Sequence, residues 1–286
     1  MTKNFRFFSQ FFVLVLFLLG GVPLFSFSKT HSVQPVPDSI QKIKDRGYLI
    51  VSMIREDDPP YVMKNPQGQM IGIDISLAQD IAKNMGVDLK ILRTATTYDD
   101  VVEQVFQGKA DIGISNLSIT LGRAEKVNYS SPYVSLKKTI LLNRGHFFRT
   151  RQRENDSLES FFQKGHKLGV MKGSSYVEFS KMYFPKAEIA EYPTKEDLLH
   201  ALDTQQIAGV FWDEFEMEKV IFLSPGGPIR YFVVKMNVPS DKSAMVLPKQ
   251  DLDFLQWVDT FLELSRRTFK IQDVLNMYMA HLREKK

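Results

Sequence analysis

From Tyr48 onward short β-patterned runs alternate with helical ones, and this alternation limits the chain to an α/β fold with a largely parallel sheet. Tyr48 to Ile54 reads as a buried strand. Asp74 stands where it can cap a helix whose Leu77, Ala78, Ile81, Ala82 and Met85 form one apolar face, with Gly86 as its stop. Val87, Leu89 and Ile91 alternate as a second strand. A second helix carries Val101, Val102, Val105 and Phe106 to Gly108, and a third strand, Ala110 to Ser115, follows. The pattern lapses after Leu142 into Asn143-Arg144-Gly145 and a basic stretch with Arg149, Arg151 and Arg153, read as a boundary or an exposed, solvated loop. It resumes with a strand at Leu168 to Met171, a turn at Gly173-Ser174-Ser175 and a helix stopped by Pro185. After a helix from Lys195 to Leu202, with the capping spacing Thr194 to Asp197, a strand from Ile207 to Trp212 ends at Asp213. That is the end at which open α/β sheets bind ligands. A strand at Ala244 to Leu247 and two amphipathic helices complete the chain, the first carrying Leu252, Leu255, Val258, Phe261 and Leu262, the second Ile271, Leu275 and Tyr278.

Several function classes are excluded by what is missing. Hydrophobic content of 44% against 24% charged residues places the chain outside the disordered class. The net charge of +4 drops to 35 cations against 33 carboxylates once Lys3 and Arg6 are set aside, which is no nucleic-acid signature. With no cysteine there is no disulfide, thiolate nucleophile or lipidated N-terminal cysteine. The histidines His31, His146, His166, His200 and His281 lack the paired spacing of a zinc site, so no metal and no cofactor is expected. No Gly-x-Gly-x-x-Gly, Walker loop or Gly-x-Ser-x-Gly elbow supports nucleotide binding or serine hydrolysis.

The N-terminus has the layout of an export signal. Lys3 and Arg6 precede an apolar run from Phe11 to Leu19, Gly20, Gly21 and Pro23 break it, and Ser26 and Ser28 supply small residues for cleavage near Ser28. Residues 1–28 are thus read as a cleaved signal peptide, with the remainder in the periplasm. The competing reading is an uncleaved anchor over Phe11 to Phe27, which would make the protein a membrane-tethered sensor.

The most informative stretch runs from Ala110 to Arg123. The hydroxyls of Ser118 and Thr120, amides at a helix start and the fork of Arg123 can converge there on one carboxylate. Taken with Asn128-Tyr129-Ser130-Ser131-Pro132-Tyr133, Arg46-Gly47-Tyr48-Leu49-Ile50-Val51, Pro59-Pro60-Tyr61, Ile71-Gly72-Ile73-Asp74-Ile75, Lys172-Gly173-Ser174-Ser175 and Phe211-Trp212-Asp213, this stretch resembles the bacterial extracellular solute-binding proteins of family 3. These are the polar amino-acid binding proteins of ABC importers.

The resemblance implies a periplasmic binding protein of type II, two α/β lobes joined by a two-strand hinge, a Venus flytrap with residues 38–142 plus 241–286 in lobe 1 and 143–240 in lobe 2. It implies a small-molecule ligand, an amino acid or similar carboxylate, delivered by a monomer to importer membrane subunits. Carried over by position, Arg123 would hold the ligand carboxylate, Ser118 and the backbone near Asn116 its carboxylate and ammonium, Ser174 and Ser175 would add contacts from lobe 2, and Asp213 would pair with the α-ammonium. Tyr98 and Tyr61 would line the side-chain pocket. Arg123 as a surface or capping residue and Asp213 as a helix cap are the bland readings of the same positions. Asp74, Asp111 and Tyr133 are assigned capping, turn and packing roles, and Phe211 and Trp212 the core.

The chain departs from the family's pattern where Asp58 replaces an aromatic that often stacks on the ligand. Glu56, Asp57 and Asp58 form an acidic run that either favours a cationic side chain or is simply solvated. Ala208-Gly209 and Arg267 are further departures that concern packing. A dehydratase of the cyclohexadienyl type is the enzyme that resembles this fold, with Asp213 or Glu178 as its general acid; the leading expectation is a binding protein without catalysis.

Overall fold

The computed structural model describes residues 38–151 and 157–284. The signal segment 1–28 and the anchor alternative lie outside the described residues, as does Arg153.

Two five-stranded sheets share one ordering. In the first, Asp88–Ala95, Tyr48–Ile54 and Ile112–Gly113 run parallel, followed by Val246–Pro248, antiparallel to both its neighbours, and Val127–Tyr129 at the edge. In the second, Ile189–Tyr192, Leu168–Met171 and Gly209–Asp213 are parallel, followed by Lys138–Asn143, antiparallel to both its neighbours, and Tyr231–Lys235. Counting only the three parallel strands in chain order, each sheet thus places the second outermost, the first next, and the third beside a strand antiparallel to it. The chain passes between the sheets at 136–138 and again at 235–241. These passages are adjacent, because Asp241–Ser243 pairs antiparallel with Val134–Leu136 in a small sheet that Phe269–Lys270 completes.

Hydrophobic periodicity explains the local elements. Tyr48–Ile54 is buried along most of its length, as a strand covered on both faces must be. Helix Ile73–Met85 buries Leu77, Ala78, Ile81, Ala82 and Met85 against the first sheet and ends where Gly86 adopts a left-handed φ of 72°. Helix Tyr98–Phe106 starts from a capping box of Thr97 and Asp100 and covers the opposite face through Val101, Val102 and Val105. Phe254, Val258, Phe261 and Leu262 from the helix Leu252–Ser265 fill the first core, while Leu252 itself is exposed. The second sheet has its own core, with Ile140, Leu141, Leu142, Phe161, Phe211 and Leu198 at its centre.

Three expectations need correction. Lys138–Asn143, counted in the first lobe by the boundary at 142, is a central strand of the second sheet and its core, so the passage lies at about residue 137. An apolar run shows that a strand is buried but not which sheet hydrogen-bonds it. The stretch from Asn143 is no loop but helix Arg144–Thr150, whose first turn is capped by the Asn143 carboxamide accepting from the His146 N–H at 3.0 Å and anchored by buried Phe147. Asp74 is not a cap either. Helix Ile73–Met85 begins at Gly72, and the Asp74 carboxylate turns inward, fully buried, to accept from the Tyr133 hydroxyl at 2.8 Å.

Candidate functional site

The loops that leave the carboxyl ends of the parallel strands in both sheets converge on one small cavity, as expected where strand order reverses in an α/β sheet. Its volume is about 20 Å³, and Asn116, Ser118, Arg123 and Tyr98 line it from the first sheet, with Ser174, Ser175 and Asp213 facing them from the second. The adjacent passages supply Leu136, Asp241 and Ser243. A space of this size holds about one water. A small organic ligand needs hundreds of Å³, so it can enter only if the two halves part.

On the first half, strand Ile112–Gly113 runs into Asn116, whose φ of 45° is left-handed, a conformation asparagine tolerates. Its N–H donates to the Tyr133 hydroxyl at 3.0 Å, and its Oδ1 accepts from Ser243 Oγ at 2.7 Å. Ser118 Oγ donates to Asp241 Oδ2 at 2.9 Å. Thr120 caps the short helix Leu121–Ala124, and its hydroxyl accepts from the Arg123 N–H at 3.3 Å. Thr120 does not line the small cavity. It lies in an adjoining one of about 310 Å³ that shares Arg123, Ser174 and Ser175.

The Arg123 side chain is buried, so a plain surface arginine is ruled out. Its Nε donates to Asp99 Oδ1 at 2.9 Å and its Nη1 to the Ser118 carbonyl at 3.2 Å. Nη2 lies 2.8 Å from Asp99 Oδ1 but out of line, and has no hydrogen-bond partner among the described residues. The guanidinium therefore retains an unused donor in a buried position, while its partner Asp99 is 57% exposed.

On the second half, Ser174 caps helix Ser175–Tyr183, accepting from the Tyr176 N–H at 3.3 Å and donating to the Met171 carbonyl at 2.7 Å. Ser175 Oγ donates across the cavity to Ser118 Oγ at 2.8 Å. The halves also meet where the Asp99 N–H donates to the Gly173 carbonyl at 3.1 Å and where Glu178 accepts from the N–H groups of Leu121 at 2.9 Å and Gly122 at 3.2 Å. Asp213 does cap helix Glu214–Leu223, its Oδ1 accepting from the Glu216 N–H at 3.0 Å, yet it also lines the cavity. Burial, reinforced by Glu216, pushes the Asp213 carboxyl well above the usual range.

Behind Tyr98 lies a cluster of charges. The Tyr98 hydroxyl donates to Asp58 Oδ2 at 3.1 Å, and Asp58 Oδ1 is 3.9 Å from the Lys219 ammonium. Glu216 is paired with both Lys195 and Lys219. Burial alone would raise the Glu216 carboxyl, but the two ammonium groups outweigh it and hold it at about 2. Burial raises Asp58 as well. The acidic run divides: Glu56 and Asp57 are exposed and pair at the surface with Arg55 and Arg93, each at 3.0 Å, while Asp58 turns inward to face Lys219.

Tyr61, expected as a wall, does not line the cavity. It is buried in the first core, edge-on to Phe215 with ring centroids 6.0 Å apart. The cavity instead takes Trp212, expected in the core, together with Tyr176 and Asp241, which the sequence reading missed. The Tyr176 hydroxyl donates to Asp241 Oδ2 at 3.0 Å, and burial raises the Asp241 carboxyl. Asp241 sits in Pro239-Ser240-Asp241-Lys242, which has turn composition. Only its place on the second passage between the lobes, where the resemblance already put residue 241, could have marked it.

Two α/β halves of matching topology, joined by paired passages and enclosing a cavity at their strand ends, define the type II periplasmic binding protein fold. The chain belongs to the bacterial extracellular solute-binding proteins, family 3, whose family model matches residues 50–281. Among relatives, an L-cystine-binding protein of Escherichia coli is 25% identical over 182 residues, 62% of this chain and 65% of that protein. The chain thus spans slightly less than two thirds of that relative's length. A cyclohexadienyl dehydratase of Pseudomonas aeruginosa is 22% identical over 252 residues, 87% of this chain and 89% of the enzyme. The crystal structure of an amino acid ABC transporter substrate-binding protein from Streptococcus pneumoniae, bound to L-arginine, superposes with a TM-score of 0.67 at 24% identity, covering 84% of this chain and 98% of that one. No helix among the described residues is long and apolar enough to cross a membrane.

Proposed function

We propose that the protein captures an amino acid between its two halves, in the periplasm, and delivers it to the membrane subunits of an ABC importer. The observation that carries this reading is the placing of Arg123 and Asp213 on opposite halves of one cavity. A zwitterion needs a buried cation and a buried anion at once, and each protein charge needs the ligand's charge in return. Arg123 takes the α-carboxylate with its unused Nη2, helped by Ser118 and the backbone at Asn116, while Thr120 holds the Arg123 N–H from the adjoining cavity. Asp213 takes the α-ammonium, whose charge offsets the burial that raises its carboxyl, and Ser174 and Ser175 close over the ligand.

A ligand touching both halves favours the closed arrangement over the open one, and that bias is the signal the importer reads. Residues 38–137 with 241–284 then form one moving lobe and 138–240 the other. The export signal at residues 1–28 puts the protein in the periplasm, where it acts as a monomer.

The test is calorimetric titration of the purified protein with the twenty amino acids, repeated with Arg123→Ala. Breaking one side of a buried charge pair costs about 3–5 kcal/mol, so the variant should bind at least roughly a hundredfold more weakly. Equal affinity in the variant, or no amino-acid binding at all, would sink the reading.

One observation favours a second reading. A buried Asp213 whose carboxyl is raised well above the usual range is the kind of group a dehydratase uses as general acid. Incubation with prephenate or arogenate, followed in the ultraviolet, separates the two, since a binding protein leaves the spectrum unchanged.

A further inference from the structure

Accepting the amino-acid reading above, the charges beside the cavity decide which side chain the ligand carries. Four carboxylates stand at or near it: buried Asp213 and Asp241 line the cavity, and half-buried Asp58 and buried Glu216 lie behind its Tyr98 wall. Asp213 is committed to the ligand's α-ammonium. Asp241 accepts from Ser118 and Tyr176, and the Lys138 ammonium offsets its charge. The last two form the wall behind Tyr98, and there the protein supplies its own cations.

Lys219 is central to that wall. It rises from helix Glu214–Leu223 of the second half, buried to 8% exposure, with its ammonium 5.0 Å above the Phe215 ring and 5.6 Å from that of Tyr278. It pairs with Glu216 and stands 3.9 Å from Asp58 of the first half. The second ammonium on Glu216, from Lys195, lies 5.1 Å over the ring of Trp212, itself a cavity residue. Two carboxylates and two ammonium groups therefore cancel. A ligand ammonium or guanidinium arriving at Asp58 would be a third cation against two anions in a desolvated place. A ligand carboxylate would meet Asp58, Asp213 and Asp241 together.

We propose that Lys219 is a built-in counter-ion that fills the place of a cationic ligand side chain, and that it restricts the site to amino acids whose side chains carry no charge. The side chain of such a ligand packs on Tyr98 and Trp212 and can exchange hydrogen bonds with the Tyr98 hydroxyl. The acidic run therefore does not select arginine or lysine, because Glu56 and Asp57 lie exposed at the surface and the charge of Asp58 is already matched by Lys219.

The experiment is calorimetric titration of the wild-type protein with glutamine, asparagine, serine, leucine and phenylalanine against arginine, lysine, ornithine, aspartate and glutamate. It is repeated with Lys219→Met and with the double variant Asp58→Asn/Lys219→Met. The wild type should bind one or more uncharged amino acids and none of the charged ones comparably. Lys219→Met leaves Asp58 without its ammonium and should bind lysine, ornithine or arginine at least about tenfold more tightly than the wild type does. The double variant, with no carboxylate at position 58 and with Glu216 still paired to Lys195, should lose that gain.

A wild type that binds arginine, lysine or ornithine as tightly as any uncharged amino acid overturns the proposal. If Arg123→Ala abolishes that binding, the amino-acid reading stands and only the role of Lys219 falls. Absence of binding to every amino acid removes the amino-acid reading and this one with it. Should Lys219→Met fail to fold, the wild-type panel alone still decides.

Discussion

Replacing Asp74 with asparagine should make the protein more stable above neutral pH and indifferent to a titration that the wild type cannot escape. The Asp74 side chain is completely buried. Its Oδ1 accepts from the Tyr133 hydroxyl at 2.8 Å, but its Oδ2 has no hydrogen-bond partner among the described residues. Burial is the main reason its carboxyl is raised from 3.8 to about 7; the Tyr133 hydrogen bond opposes the rise and the charge of Asp58 adds to it.

The sign follows from proton counting. Between those two values the folded protein holds a proton that the unfolded chain has released, so stability falls as pH rises through this window. It is highest below about pH 4 and levels off once the folded-state carboxyl has also ionised, above pH 7. Three pH units at about 1.4 kcal/mol each set an upper value of roughly 4 kcal/mol. Asparagine keeps an acceptor for Tyr133, carries no proton to lose, and still leaves one polar atom unpaired, which returns about 1–3 kcal/mol of the gain. Urea unfolding of both proteins from pH 4 to pH 9 measures this, and taking the difference between them cancels the titration of other groups. The variant should gain on the wild type steadily from pH 4 to 7, by up to roughly 4 kcal/mol at pH 8 relative to pH 4, because the cost of the unpaired atom is the same at both. A difference that does not change with pH would refute the reasoning.

Two further outcomes test the fold and its closure. Gly72 has a φ of 129°, and a Cβ there would overlap the Tyr61 carbonyl and come 2.8 Å from that of Pro60, so Gly72→Ala should cost more than about 3 kcal/mol in denaturant unfolding; a loss under about 1 kcal/mol would mean that this turn is not built as described. Glu178→Ala removes the acceptor that holds Leu121 and Gly122 across the cleft, and should raise the radius of gyration in solution scattering while changing unfolding stability by less than about 1 kcal/mol; an unchanged radius would show that this contact does not help keep the halves together.

What the sequence made legible was whatever is decided locally. The strand at Tyr48–Ile54, the buried face of Ile73–Met85, the start of Ser175–Tyr183 and the cap at Thr194 all follow from periodicity or from a side chain meeting an amide a few residues away. Helix Arg144–Thr150 was hidden because its arginines mask one apolar anchor, Phe147. Lys138–Asn143 was assigned to the wrong half because its partners, Gly209–Asp213 and Tyr231–Lys235, arrive some seventy to ninety residues later. Lys219 reads in sequence as a surface partner of Glu216 three residues earlier, a pairing worth a few tenths of a kcal/mol on an exposed helix. Only the packing of Phe215 against Tyr61 and Tyr278 shows that this helix face is buried between the halves.

In the proposed function, the cap and ligand roles of Asp213 are compatible. A carboxylate has two oxygens with about four lone-pair directions between them, so accepting from the Glu216 N–H does not exhaust it. The cap fixes the orientation of the group on its helix, and the end of strand Gly209–Asp213 fixes its depth. A freely rotating aspartate would have to be ordered by the ligand at the ligand's expense, whereas one already held by its own helix presents its charge to the cavity at no further entropic cost. The same holds for Arg123, whose Nε and Nη1 are engaged by Asp99 and Ser118 while Nη2 is left over. Under the proposed function, the cap at Asp213 and the internal ion pair at Arg123 are what would hold each side chain rigid enough to meet the ligand.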